Sequence, residues 1–226
     1  MYESDYFNIV DKSYNNFDSI RFKTVVGVIN KYLKGSACLD AGSGGGHYLN
    51  ILSKSGKRAV GLEYSKDGIK DSKKRVVNTS IVNGSLIGEM PFRSHAFDFI
   101  LCSEVMEHLL DLDAVISEFK RILKKDGCIV VTVPNFTKMS FEYLREIFSY
   151  KDPTHVRRYS LYKWKSLLSI NFKIIDFFTS SFVPSYTLYS VGFGHENILK
   201  TESLLRKIPV VKLLGRECVF VLKLKP

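Results

Sequence analysis

The chain has no uninterrupted run of about 18 apolar residues, the length that a membrane-crossing helix requires. It also lacks a charged-then-apolar leader: Met1-Tyr2-Glu3-Ser4-Asp5-Tyr6 is acidic and polar, unlike a secretory signal. Cysteine is sparse and scattered. Cys38, Cys102 and Cys218 sit inside apolar stretches that read as buried strands, and Cys128 begins another. That spacing matches no zinc site or disulfide framework, so the four are expected as small core residues in a reducing, cytoplasmic compartment. No internal repeat, low-complexity tract or linker interrupts the 226 residues. With 45% hydrophobic and 13% aromatic residues, general disorder is excluded, and one α/β domain over 1–226 is expected.

Net charge is absent from the first half. Residues 1–113 carry 14 Lys/Arg against 14 Asp/Glu, whereas residues 114–226 carry 19 against 9 and so hold the whole +10. Such an excess attracts anions such as nucleic acid, phosphorylated sugars or acidic lipid head groups, or simply keeps the chain soluble.

Apolar spacing predicts an opening helix through Phe22, Val25, Val26, Ile29 and Leu33, within a helical cover over 1–34. Strands are expected at Ala37–Asp40, Arg58–Glu63, Val76–Asn83, Ala96–Cys102 and Cys128–Val133. Helices should intervene at His47–Ser53, from the Ser65 N-cap to Arg75, and at Asp111–Lys125, where Val115, Ile116, Phe119, Ile122 and Leu123 share a face. This alternation predicts a doubly wound, mostly parallel sheet. Beyond Pro134 the rhythm changes. A helical cap is expected over 136–170, with helices at Phe136–Tyr150 and Ser160–Ile170. Final strands should follow at Phe172–Phe178 and Arg216–Lys225, giving about seven in all, with a variable insertion at 179–215 between them.

Asp40-Ala41-Gly42-Ser43-Gly44-Gly45-Gly46 follows the first strand, where a glycine turn lets a ligand approach the backbone. A dinucleotide fingerprint counted from Gly42 needs glycine at the position held by His47, so that pattern fails and a nucleotide-dependent oxidoreductase is disfavoured. The carboxylate of Asp40 suits instead a ligand carrying an ammonium and a sulfonium. Glu63 ends the second strand, 23 positions later, where an acid accepts hydrogen bonds from ribose hydroxyls.

Two further segments complete a recognisable set: Phe97-Asp98-Phe99-Ile100-Leu101-Cys102-Ser103-Glu104-Val105-Met106-Glu107-His108-Leu109, and Leu123-Lys124-Lys125-Asp126-Gly127 running to Pro134-Asn135. Together the segments resemble class I S-adenosylmethionine (SAM)-dependent methyltransferases of the type 11-like group, including ubiquinone-biosynthesis O-methyltransferases, over roughly residues 35–135. The resemblance implies a Rossmann-like methyltransferase fold, SAM as cofactor and S-adenosylhomocysteine as product. It implies that Asp40, Gly42, Gly44 and Gly46 serve the methionine side and Glu63 the ribose, with Ser43 and Tyr64 also among the cofactor-binding residues. Ser85 and Leu86 would lie beside the adenine, and Cys102 or Ser103 under the sulfonium. Many members have Asp where this chain has Ser85. Tyr14 and Arg21 are candidates to cover the methionine carboxylate.

If a helix begins just after the fourth strand, Glu104, Glu107 and His108 share one face. Asp152-Pro153-Thr154-His155-Val156-Arg157-Arg158-Tyr159-Ser160 is similar to a segment of those O-methyltransferases and of small-RNA 3′-terminal 2′-O-methyltransferases. The resemblance makes His155, Glu104 and His108 catalytic candidates. It implies that Glu104, Glu107, His108 and His155 can hold Mg²⁺, Mn²⁺ or Zn²⁺, although the same residues order the loop in members that need no metal. The expected reaction is O-methylation of a small molecule, glycan or other anionic or aromatic acceptor. Arg157, Arg158, Lys163 and Lys165 among Tyr159, Tyr162 and Trp164 would suit RNA, or a helix with one packed and one basic face. Thr201–Gly215 would suit peripheral contact with an anionic membrane, or packing against the sheet. An RNA methyltransferase, an RNA-binding protein and a non-catalytic SAM-binding protein are the alternatives on this fold.

Overall fold

The computed structural model describes residues 18–138, 140, 143, 152–180, 197, 200, 201, 204, 208, 211 and 214–226. Its helices are α1 (Asp18–Tyr32), α2 (His47–Lys54), α3 (Lys66–Arg75), α4 (Leu112–Ile122) and α5 (Leu161–Asn171). The strands are β1 (Ala37–Ala41), β2 (Arg58–Glu63), β3 (Ser80–Asn83), β4 (Phe97–Ser103), β5 (Leu123–Pro134), β6 (Lys173–Ser180) and β7 (Glu217–Lys223). All seven join one sheet in the order β3-β2-β1-β4-β5-β7-β6. β1 to β5 run parallel, and β7 is antiparallel to both of its neighbours, β5 and β6. The strand order reverses between β1 and β4, so a crevice opens outside their carboxyl ends.

Two apolar cores lie on the two faces of the sheet. On one, Leu112, Val115, Ile116, Phe119 and Ile122 of α4 and Leu161, Trp164 and Leu168 of α5 pack with Leu39, Ile100 and Ile129. On the other, Val25, Val28 and Ile29 of α1 and Tyr48, Leu49 and Leu52 of α2 meet Cys38, Phe99 and Val130. Alternate residues of β1, β4 and β5 feed opposite cores, which is why these strands read as unbroken apolar runs rather than as alternation. The four cysteines are free and buried, as expected. Among the described residues no helix is long and apolar enough to cross a membrane.

Side-chain caps fix three helix starts: the Ser65, Asp111 and Ser160 oxygens accept from the amides of Gly68, Ala114 and Lys163. Each is worth about 1 kcal/mol. α4 stops at Ile122 rather than at Lys125, because Leu123 pairs with Phe97 and extends β5 forward by five residues relative to the expected Cys128. Sheet pairing overrides helix propensity there. β3 begins only at Ser80: Val76 caps α3, Val77 is exposed and Asn78 is left-handed at φ 54. The cap expected over 136–170 is only partly helical, since residues 152–160 carry no helix and Phe136 N–H bonds to the Tyr159 carbonyl. Most of the helix expected at 136–150, and of the insertion expected at 179–215, lies outside the described residues; Thr179 and Ser180 belong to β6.

Gly46 turns the glycine loop into α2 at φ 78, and a Cβ there would sit 2.3 Å from Ser72 Oγ and 3.0 Å from Ser72 Cα on α3. Gly46→Ala is therefore expected to cost about 1–3 kcal/mol, read as a lower urea midpoint. Ser72→Gly in the same chain should recover part of the loss.

Candidate active site

The loop after β1 is held by its own backbone. The Gly42 and Ser43 amides both donate to the Leu62 carbonyl, at 2.8 and 3.0 Å, and Gly42, Gly44 and Gly46 all have positive φ. Beneath it lies Asp40, 2% exposed, whose Oδ2 has no hydrogen-bond partner. Burial, and next the nearby Glu63, push its carboxyl up to about 7. An unmatched buried acid is costly, and a cationic ligand group would discharge the cost. Glu63 comes to the same loop: its Oε2 accepts from Gly44 N–H and its Oε1 from Ser65 N–H, both at 2.7 Å. Each oxygen keeps a second lone pair, enough for the two hydroxyls of a ribose. Asp40, the glycines and Glu63 thus form one cradle whose donor set fits an aminoacyl-nucleoside cofactor.

The other expected cofactor residues are placed unevenly. Leu86 is buried, whereas Ser85 is exposed and its Oγ accepts from Ile87 N–H at 2.9 Å. Tyr64 is exposed beside Glu63. Cys102 is fully buried in the core shared with α4, within electrostatic reach of Glu107, Asp40 and Glu104; Ser103 is half-buried and shares a 2.8 Å hydrogen bond with Thr132 Oγ1. Tyr14 lies outside the described residues. Arg21 of α1 reaches the crevice but donates to Glu104 Oε2 at 3.0 Å and stands 3.6 Å from Glu217 Oε1.

After β4 the chain does not enter the helix expected to align Glu104, Glu107 and His108. Glu104 is left-handed at φ 55, with its amide bonded to the Thr132 carbonyl, and only a three-residue 3-10 turn, Met106–His108, follows. The Glu104 carboxylate is consequently separated from the other two and meets Arg21 and Thr132 Oγ1. Val105 presses on the glycine loop: a Cβ at Gly42 would sit 2.6 Å from Val105 Cγ2.

The turn faces the segment at 152–160. Ligand atoms of Glu107, His108 and His155 lie within 4.8 Å of one another, and the two imidazole rings are 4.9 Å apart. Glu107 is fully buried with no hydrogen bond to either carboxylate oxygen; burial, then Glu104, raises its carboxyl well above the usual range. His108 Nδ1 is 3.1 Å from the Thr154 carbonyl. The Thr154 hydroxyl, which can donate or accept, is nearer to the same Nδ1 at 2.8 Å, and Nε2 stands 3.8 Å from Glu107 Oε1. Burial lowers the His108 pKa, which keeps that ring neutral at pH 7. His155 is 8% exposed, with Nε2 3.8 Å from Asp152 Oδ2.

Arg157 and Arg158 are structural. Arg157 donates to the Leu109 and Leu110 carbonyls and to Tyr159 Oη, and its amide donates to the Glu107 carbonyl, clamping the two histidine-bearing segments together. Arg158 donates to the His155 and Asp152 carbonyls. Trp164 is fully buried, and Lys163 and Lys165 are exposed above the Tyr159 and Phe177 rings. α5 therefore packs Trp164 inward and presents Lys163, Lys165 and the exposed Tyr162 outward, while Arg157, Arg158 and Tyr159 precede it in the non-helical stretch at 152–160.

Asp152, Thr154, Thr132 and Glu217 were not singled out by sequence. Asp152 had a readable signal, an acid three positions before a candidate histidine. Glu217 had none, because it reaches the crevice only through the antiparallel insertion of β7.

Comparison with known proteins agrees with this geometry. The methyltransferase domain family matches residues 39–131. An uncharacterized methyltransferase of Bacillus subtilis is 28% identical over 141 residues, covering 59% of this chain and 55% of that one. The ubiquinone biosynthesis O-methyltransferase of Pelagibacter ubique is 29% identical over 143 residues, 58% of this chain and 60% of that one. The chain thus spans less than two thirds of the length of these relatives. A solved SAM-dependent methyltransferase of Thermotoga maritima, described as a possible histamine N-methyltransferase, superposes with a TM-score of 0.70 at 18% identity, covering 98% of this chain and 97% of that one. Residues 39–131 thus match the methyltransferase domain family, and nearly the whole length shares the fold of a solved SAM-dependent methyltransferase.

Proposed function

We propose that this chain methylates a hydroxyl of a small-molecule or glycan acceptor placed over Glu107, His108 and His155. The observation that carries the reading is the convergence of two imidazoles and a buried carboxyl next to the glycine loop, with Val105 packed on Gly42. SAM, when bound, supplies a methyl group on a sulfonium, so the protein's task is alignment and proton removal. Asp40 takes the ammonium of the methionine part, the loop at Gly42, Ser43, Gly44 and Gly46 lies along it, and Arg21 with Tyr14 serves its carboxylate. Glu63 takes the ribose hydroxyls, and Leu86 and Ser85 flank the adenine beside Tyr64. Ser103 faces the sulfonium end.

His155 removes the acceptor proton. Asp152 steadies the resulting imidazolium: burial alone would raise the Asp152 carboxyl, but hydrogen bonding to Thr154 and the charges of His155 and His108 hold it below its ordinary value. His108 stays neutral and orients Glu107. Labelled SAM offered to cell extract, separated into small-molecule, glycan, lipid, protein and RNA fractions, tests the reading. Label in the small-molecule or glycan fraction supports it, and label confined to RNA or protein overturns it.

Glu107, His108 and His155 also fit a divalent cation, which would polarise the acceptor oxygen. EDTA-treated protein titrated with Mn²⁺ is expected to take up one equivalent, and Glu107→Gln should abolish the uptake. Equal uptake by the variant would place the ion elsewhere.

A further inference from the structure

The carboxyl edge of β4, β5, β7 and β6 forms a polar floor that the proposed proton transfer leaves unused. Glu217 opens β7, and since β7 runs antiparallel to β5, it pairs with Pro134 at the end of β5, on the same edge as Ser103 and Glu104. It is 2% exposed. Oε2 accepts from Ser180 Oγ at 2.8 Å, while Oε1 has no hydrogen-bond donor and Arg21 Nε stands 3.6 Å away. The same guanidinium donates to Glu104 Oε2. Glu104 in turn acts electrostatically on both Glu107 and Glu217, although its carboxylate lies outside the Glu107, His108 and His155 cluster. Arg21 offsets both buried acids, and Arg216 adds a smaller share at Glu217.

An acid cluster with a purely structural role matches each buried oxygen with a donor, because an unmatched one costs on the order of 1–3 kcal/mol. Here three buried oxygens, both of Glu107 and Oε1 of Glu217, have none. The floor lies under β4, β5 and β7, beyond the glycine loop of β1 and the end of β2; on the methyltransferase reading that is the acceptor's side of the crevice. An anionic acceptor would meet three carboxyls there. Arg21 already stands among these acids, and burial raises the Glu107 and Glu217 carboxyls well above their ordinary range, a cost that a cationic group would relieve as at Asp40.

We infer that Glu217, together with Glu104, receives a positively charged group of the acceptor, so that the acceptors are hydroxyl compounds carrying an ammonium or amidinium group. The inference rests on the methyltransferase reading of the site. It identifies Glu217 as a specificity-determining residue some distance from the atoms that react. The geometry has a clear division of labour: the Glu107, His108 and His155 end handles the hydroxyl, and the Glu217 and Ser180 end holds the charge.

The test is calorimetric titration of the full chain, loaded with S-adenosylhomocysteine, using matched compounds at neutral pH. Tyramine is compared with 4-ethylphenol and glucosamine with glucose, and 3-(4-hydroxyphenyl)propionate serves as the anionic member. In at least one pair the ammonium compound should bind about tenfold more tightly than its neutral partner, and the anion should bind weakest. Glu217→Gln should bring the ratio towards one while keeping affinity for S-adenosylhomocysteine. Glu104→Gln measures the same loss should Glu217→Gln fail to fold. Equal binding within both pairs, no binding by either ammonium compound, or a preference that both variants retain overturns the inference alone. A wild-type chain that fails to bind S-adenosylhomocysteine removes the methyltransferase reading and the inference with it.

Discussion

Asp40→Asn is expected to stabilise the ligand-free protein and to weaken its grip on SAM. Burial and Glu63 raise the Asp40 carboxyl from 3.8 to about 7. A raised acid in the folded state binds more protons than in the unfolded chain between those values, so stability falls as pH rises through that window. The penalty is absent below about pH 4 and complete above about pH 7, where a shift of this size corresponds to roughly 4 kcal/mol. The Asn amide keeps part of the cost as an unmatched polar group, which leaves a net gain of about 1–3 kcal/mol. At pH 8 the melting temperature should therefore rise by several degrees, at about 2–4 °C per kcal/mol for a chain of this size. The gain should vanish near pH 4. Affinity for SAM should fall at least about tenfold, because a charge-assisted hydrogen bond to the ammonium is lost. Wild-type affinity should itself rise as the pH rises towards about 7, where Asp40 of the ligand-free protein ionises. A variant that binds SAM normally, or that gains no stability, would remove Asp40 from the cofactor site.

His155→Ala is expected to lower kcat by roughly 10²–10⁴-fold, the usual worth of a positioned base, while SAM affinity stays at the wild-type level. The separation is possible because His155 belongs to the segment at 152–160, whereas the cofactor cradle belongs to β1 and β2. Asp152→Asn should give a smaller fall in kcat and a shift of the pH–rate profile, since the carboxylate acts only through the imidazole. Joint loss of turnover and SAM binding in His155→Ala would show that the ring merely props the Glu107 turn through its contact with His108.

Those two variants probe the halves of the site that the sequence exposed to different degrees. Asp40, the glycines and Glu63 are local: a strand end, a turn and the next strand end, each within a short window whose spacing is set by one βαβ unit. The central strands were equally readable, since burial on both faces leaves a continuous apolar run at 97–102 and 128–133. The other half depends on contacts between distant segments. Nothing near Glu104 announces that its amide would bond to Thr132 and tip it into a left-handed turn, so helical spacing was assigned where a 3-10 turn stands. The basic residues at 157 and 158 left phosphate contacts and a solvated helix face both open, because their partners, the carbonyls of 109, 110, 152 and 155, are backbone groups that composition does not reveal. α4 was overextended for the same reason, as the pairing of Leu123 with Phe97 is a tertiary fact.

The antiparallel strand β7 has a consequence for how the molecule assembles. Because it lies between β5 and β6, its first residue touches the first described helix: Glu217 meets Arg21, near the opposite end of the chain. The crevice is thus closed by a contact of very long sequence separation, the kind that forms late because loop closure must be completed before it contributes. The nucleoside cradle at 40–63 can form from neighbouring segments, whereas the acidic floor cannot exist until the last strand has docked. A chain shortened before residue 217 would keep the glycine turn and lose the floor, along with the central place that β7 fills between β5 and β6.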